Sequence, residues 1–237
     1  MNDLISVFFI VILAVLTQTT SGFGIALVSM PLLVTRIGLT TAAPLVALIA
    51  LSTRVAMIIR YRAAFRWSEV WRVMLAAAVG IPFGLLFFYR VEQRIVELVL
   101  GGIIIAYAAY SILRPRIRLM AGNQWAYGLG LLSGVLAGAY NIGGPPAVLY
   151  ATGCRWPPMT FKGNLQLISL LTGALVILMR AFNQEFTEGV MTYYVVALPA
   201  IAVGTAIGFW LDRYLNAQRF RVIVLVLLML VGVQLVL

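Results

Sequence analysis

The sequence predicts an all-α polytopic membrane protein built from two inverted repeats, each a re-entrant or broken helical hairpin followed by three transmembrane helices. Three observations predict it. Apolar runs of about 20 residues, long enough to cross about 30 Å of hydrocarbon, recur along the whole chain. Two of the runs are too long for one crossing, and glycine breaks both in the middle. The basic residues sort to one membrane face only if one of those long runs turns back.

Composition sets the class. Of 237 residues, 63% are apolar and 10% are charged, whereas soluble domains carry about 25% charged residues. The net charge is +10, from sixteen Arg and one Lys against seven acids. These basic residues are scattered through the short loops, as topogenic charge is, so nucleic-acid binding is not expected. With one cysteine, Cys154, and no histidine, no internal disulfide, metal cluster or cofactor site is expected. The start, Met1-Asn2-Asp3, has no basic n-region and no small-residue cleavage site after it, so it reads as mature protein.

Eight apolar segments follow one another: 4–35, 40–59, 70–89, 95–113, 124–153, 163–182, 190–211 and 219–237. Six have the length of one crossing. The first and fifth run to about 30 residues, and a continuous helix of that size would be about 45 Å long, too long for a crossing without strong tilt. The first is interrupted at Ser21-Gly22-Phe23-Gly24 and the fifth at Asn141-Ile142-Gly143-Gly144-Pro145-Pro146. Two half-helices folded into a re-entrant hairpin fit each.

The halves resemble each other. At an offset of 120, Gly24 matches Gly144 and Thr40 matches Thr160; at 124, Gly80 and Gly84 match Gly204 and Gly208; at 125, Gln93-Arg94 matches Gln218-Arg219. The order of the matches indicates a duplication, with residues 1–118 as the first repeat and 119–237 as the second. Charge then fixes the fifth segment. With eight full crossings, eight basic residues face each side. With the fifth re-entrant, the count becomes twelve against four, leaving Arg54 inside the membrane. The poorer side holds Arg36, Arg90, Arg94 and Arg180 beside Glu92, Glu185 and Glu188. It reads as periplasmic, and both termini join it. The first segment is assigned the same way by length and pairing. Three crossings per half then invert the second repeat, an arrangement of transporters with a midplane site.

The breaks are the strongest functional pointers, because irregular backbone within a bilayer is tolerated only inside protein or beside a water-filled cavity. A half-helix starting near Gly24 or Gly144 directs free N–H groups and a positive dipole end at its tip. Gly22 and Gly143 allow close approach to backbone, and Pro145 with Pro146 suits a first helical turn. Gln18, Thr19, Thr20, Ser21 and Asn141 gather there, able to hold an oxyanion or to satisfy backbone freed at the breaks; for Asn141, inside its break, the site is favoured. Arg54 lies within the second segment, where an ionisable residue marks a site unless it snorkels to the surface. Lys162 and Asn164, with Gln166, open the sixth segment, where Lys162 and Asn164 stand at a cytoplasmic entrance or a solvated helix end. Trp67, Trp71, Tyr89, Trp125, Trp156, Trp210 and Tyr214 read as interfacial anchors. The Gly-x-x-x-Gly pairs 80/84 and 204/208 read as close helix contacts. Without His, a Cys–His pair or an acid pair within a segment, the chain carries no catalytic constellation, and an enzyme is not expected.

Two stretches carry a resemblance: Thr20-Ser-Gly-Phe-Gly-Ile-Ala-Leu-Val-Ser-Met-Pro31 and Ser133-Gly-Val-Leu-Ala-Gly-Ala-Tyr-Asn-Ile-Gly-Gly-Pro-Pro-Ala-Val-Leu-Tyr150. The chain resembles the sulfite exporter TauE/SafE family of membrane anion permeases, which repeats a glycine-rich motif followed by proline in each half. The first copy has Gly22 and Gly24 where the family usually has a run of three glycines. The resemblance implies a carrier or exporter of sulfite, organosulfonates or related sulfur oxyanions. Other readings are an anion channel, a carrier of short carboxylates, or a non-transporting scaffold. The expected partners are a small anion and the lipid bilayer, with a coupled proton and a homodimer left open. The expected location is a bacterial-type inner membrane.

Overall fold

The computed structural model describes residues 2–61, 64–113, 123–211 and 217–236. Outside the described residues lie Arg62, Arg114, Arg116, Arg118, Asp212, Arg213, Tyr214 and the boundary expected at 118/119. The described chain is helical: α1 Asn2–Ser21, α2 Ile25–Ile37, α3 Leu39–Tyr61, α4 Trp67–Arg90, α5 Gln93–Leu113, α6 Asn123–Tyr140, α7 Gly144–Gly153, α8 Pro158–Phe182, α9 Glu188–Leu211 and α10 Ala217–Val236. Six of these, α1, α3, α4, α5, α8 and α9, are long and apolar enough to cross a membrane. The all-α polytopic class read from the sequence is therefore the class of the structure.

Both long runs break at the motifs. Gly22 and Gly24 take φ of 83° and 106°, values that L side chains avoid. Asn141 takes φ of 59°, the left-handed region that asparagine tolerates better than most residues. The arms are unequal, which differs from the expected pairs of half-helices. The first arms, α1 and α6, have 20 and 18 residues, and the second arms, α2 and α7, have 13 and 10. At 1.5 Å per residue α1 spans about 30 Å, enough for a whole crossing before its break.

The most extensive helix pairings repeat on exchange of the two sets of five. α4 packs along α6 and α1 along α9; α3 lies against α8, and α5 against α10; α3 also touches α9, and α4 touches α8. Exchange maps each pairing onto itself or onto another in this set. Glycine makes the closest pairs. A Cβ on Gly80 or Gly84 would overlap the Leu131 or Val135 carbonyl of α6, and one on Gly134 or Gly138 would overlap the Ala77 or Ile81 carbonyl of α4. In α9, a Cβ on Gly204 or Gly208 would press on Val15 or Thr19 of α1. Lipid supplies no hydrophobic drive between helices, so such backbone approach is what holds them. Gly84→Val is expected to cost about 3 kcal/mol by overpacking a backbone contact, read as a lowered melting temperature in detergent, whereas Gly102→Ala, in open space, is expected to change it little.

Polar contacts fix which ends lie together. The Arg66 amide donates to Asn164 Oδ1 at 2.9 Å, and Asn164 Nδ2 donates to Glu69 Oε2 at 3.3 Å. The starts of α4 and α8 are thus side by side. At the opposite end of α4 and α8, the Tyr89 hydroxyl donates to the Glu185 carboxylate.

Candidate functional site

At the first break, Gly22 N–H closes the last turn of α1 on Gln18 O at 2.8 Å. The Gly22 carbonyl, which has no helical partner, accepts from Gln18 Nε2 at 3.4 Å and from Gln166 Nε2 of α8 at 2.7 Å. Gln18 Nε2 also lies 3.3 Å from Gln166 Oε1, and Gln18 Oε1 accepts from the Ile25 amide at 3.2 Å. Both glutamines are buried. Two amides that would cost free energy if left unpaired in an apolar interior therefore hold the start of α2 against α1 and α8.

The hydroxyls nearby are committed. Thr19 donates to Val15 O or Leu16 O, Thr20 to Leu16 O or Thr17 O, and Ser21 to Thr17 O or Phe23 O. A hydroxyl has one proton, so with that proton on backbone each presents only lone pairs, which an anion does not attract. Of the two readings offered for these residues, the backbone-satisfying one matches their bonding here.

At the second break, Asn141 N–H returns to Ala137 O at 2.8 Å, the 5→1 bond of an αL helix end, and Ile142 N–H to Leu136 O at 3.1 Å. Arg180 of α8 donates from Nη2 to Gly138 O at 2.9 Å, with Ala139 O at 3.5 Å. Ser133 Oγ donates to Gly143 O at 2.6 Å. The Leu136, Ala137, Gly138, Ala139 and Gly143 carbonyls around the break thus have partners without water. Asn141 Nδ2 donates to Ala43 O at 2.9 Å, which leaves its second N–H for another acceptor.

The two tips meet. Phe23, in the first break, lies where a Cβ on Gly144 would sit 3.7 Å from its ring. A cavity of about 20 Å³ between them is lined by Gln18, Gly24, Ala26, Asn141, Gly144 and Ser169, among others. Among the described residues, the Ala26 and Leu27 amides of α2 and the Gly143 and Gly144 amides have no hydrogen-bond acceptor. Pro145 and Pro146 occupy the next two positions of α7 and have no N–H to give. The second tip thus offers two donors and its helix dipole, fewer donors than an ordinary N-terminus has.

A smaller cavity of about 10 Å³ adjoins it, lined by Arg54, Ser133, Asn141, Gly143, Ser169 and Thr172, among others. Asn141 and Ser169 line both. Arg54 reaches into it from α3 and points its guanidinium end-on at Gly173, where a Cβ would stand 2.5 Å from Nη1. Its Nε is buried with no hydrogen-bond partner, and no carboxylate pairs with it among the described residues. A charge taken out of water is normally paired or bound to something, so this guanidinium has capacity for an anion.

The structure brings together Gln18, Gly22, Gly24, Arg54, Asn141, Gly143, Gly144 and Pro145. Lys162 packs its stem on Gly22, with Cγ 3.2 Å from where a Cβ would be, so it stands beside the first break. Asn164 is fully buried but spent on Arg66 and Glu69, away from both tips. Sequence reasoning left three participants out of the site. Gln166, Ser169 and Gly173 fall at spacings of three and four along α8, one helix face, and that polar-to-small stripe in an apolar helix was the available signal. Arg180, taken for a loop charge, is 0% exposed. Its position at a segment end gave no sign of that.

No solved structure matches the chain. A curated relative from Cupriavidus necator, described as a probable sulfite/organosulfonate exporter TauE, is 23% identical over 199 residues, covering 81% of this chain and 77% of the relative. The family model described as sulfite exporter TauE/SafE matches residues 7–235. With a match over almost its whole length and the membrane helices to go with it, this multi-pass inner-membrane chain belongs to the sulfite exporter TauE/SafE family.

Proposed function

We propose that the protein is a secondary carrier that exports small sulfur-containing anions, such as sulfite or organosulfonates, by alternating access around the cavity between the two breaks. One observation carries this reading: two helix N-termini from different halves converge on one cavity, beside an arginine with no counter-ion among the described residues. Helix N-termini and unpaired guanidinium favour negative charge, and the lining described holds no carboxylate to repel it. The curated relative's description supplies the sulfur chemistry.

The cavity also favours a carrier over an open pore. At about 20 Å³ it holds about one water, less than an oxyanion of four heavy atoms. Substrate enters only if the tips separate, as in rocking of one repeat against the other. The repeats are the two sets of five helices, inverted by their odd number of crossings. Contact of the α4 start with the α8 start supports this, since a fifth run crossing the whole bilayer would put Arg66 and Asn164 at opposite faces.

The test is a screen of sulfite, alkyl sulfonates, thiosulfate and short carboxylates, by thermal shift in detergent and by flux in proteoliposomes. Sulfite or a small sulfonate is expected to raise the melting temperature and to show saturable flux with counterflow. Flux that neither saturates nor shows counterflow would make the protein a channel, a carboxylate-only response would move the substrate class, and no response to any anion would leave a scaffold.

A further inference from the structure

A second, larger cavity lies apart from the site between the breaks. It is a groove of about 620 Å³ on the outer surface between α4 and α8. Trp67, Ser68, Trp71, Met74, Leu75 and Ala78 form one wall, and Leu171, Thr172 and Leu175 form the other. From Trp67 to Ala78 the wall runs about 16 Å along α4, roughly half the hydrocarbon thickness of a bilayer, or one leaflet. Its lining is apolar except for Ser68 and Thr172, and the Thr172 hydroxyl is bonded to Ile168 O.

The two ends of the groove differ in chemistry. The end toward the start of α4 carries two tryptophans, and Trp67 is 59% exposed. Tryptophan at that depth marks the headgroup region. The Arg72 guanidinium stacks on the ring of Trp71, 4.7 Å from its centroid, and no carboxylate pairs with it among the described residues. Arg66, one residue before the helix, is half in solvent and shares its charge with Glu69 at 3.3 Å. This is the end that the charge count places at the cytoplasmic face. The other end, at Leu75, Ala78 and Leu175, is wholly apolar. An amphiphile with an anionic head at Ser68 and Arg72, and a chain running along Met74, Leu75 and Ala78, matches the groove in charge, length and depth.

We propose that this groove is a binding site for one anionic phospholipid of the cytoplasmic leaflet, with its phosphate at Arg72 and Ser68 and one acyl chain between α4 and α8. Basic sites between helices on that side are where anionic headgroups bind. Charge complementarity at one end selects this occupant over a second copy of the chain, which would bring its own Arg72 and Trp71 to a two-fold contact. The lipid also touches the helix that shapes the transport site. Thr172 lines the groove on one side and the Arg54 cavity on the other, and the next residue, Gly173, is the one on which Arg54 rests. An acyl chain filling the groove therefore braces α8 at the position that seats Arg54.

The experiment is native mass spectrometry of the intact protein released from detergent, titrated with phosphatidylglycerol or with phosphatidylcholine of the same chains, alongside thermal shift. Wild type is expected to retain one phosphatidylglycerol at least ten-fold more readily than phosphatidylcholine and to melt higher with it. Arg72→Gln is expected to lose that preference while still taking either lipid weakly. Ala78→Phe, which fills the groove, is expected to retain neither. Equal retention of the two lipids by wild type, or a preference that survives both Arg72→Gln and Ala78→Phe, would overturn the site. So would a dimer that Ala78→Phe converts to monomer, since the groove would then be an interface between copies. None of these readouts uses anion flux, so the lipid site and the transport reading fail separately.

Discussion

Arg54→Met is expected to abolish anion transport while leaving the melting temperature unchanged or higher. The two effects have opposite signs because the same fact underlies both. The Arg54 Nε is buried without a partner, and no carboxylate neutralises the guanidinium among the described residues. An unpaired charge in an apolar interior is destabilising, and replacing it with an apolar side chain of similar length removes that cost. In the loaded state the same charge meets the substrate. Deleting one member of a buried charge pair costs about 2–5 kcal/mol, which at 1.4 kcal/mol per factor of ten is about 30-fold to several thousand-fold in affinity. Arg54→Lys keeps the charge but loses the planar fork whose Nη1 abuts Gly173, and partial transport is expected. The measurement pairs substrate-induced thermal shift with proteoliposome flux. If Arg54→Met instead melted lower and kept substrate affinity, the residue would be a structural anchor and the site would lie at the tips alone.

The parts of the fold that were legible are those where backbone geometry restricts the residue. Gly22 and Gly24 sit at φ that excludes other side chains, and Pro145 and Pro146 suit only a first helical turn, so both breaks could be placed from letters alone. The glycine pairs at 80/84 and 204/208 were equally readable, since a Cβ there meets another helix. The unequal arms were not. The residues of α1 and α2 are alike in apolar character, and hydropathy says nothing about where along a long run the turn falls. Among the candidate site residues, type was a fair guide to position but a poor guide to bonding. Thr20 and Ser21 lie at the break as expected, yet their protons go to backbone carbonyls two to four residues away. Asn164 stands near the start of the sixth apolar segment as expected, yet serves the start of α4. Such assignments depend on which helix lies alongside, and a single sequence does not record that.

Arg180 is where this gap has the greatest energetic consequence. Its Nη1 lies 2.5 Å from Glu185 Oε2, its Nη2 caps the carbonyls that end α6, and its guanidinium sits 4.8 Å from the Phe88 ring centroid. It thereby ties the ends of α8, α6 and α4 together, at carbonyls three and two residues before the backbone turns at Asn141. Arg180→Met would leave Glu185 with Tyr89 as its remaining partner here and the Gly138 carbonyl with none. Breaking a buried pair by removing one partner costs about 3–5 kcal/mol, and this variant is expected to show the largest fall in melting temperature of any considered. The double variant Arg180→Met/Glu185→Leu removes the stranded charge as well, and it should recover a sizeable part of that loss, because contacting residues are not additive. A double variant no more stable than the single one would mean that the Gly138 carbonyl cap, not the ion pair, is what Arg180 supplies. In that case the second break is held by a helix-end bond alone, and changes at Glu185 should leave the geometry around Asn141 undisturbed.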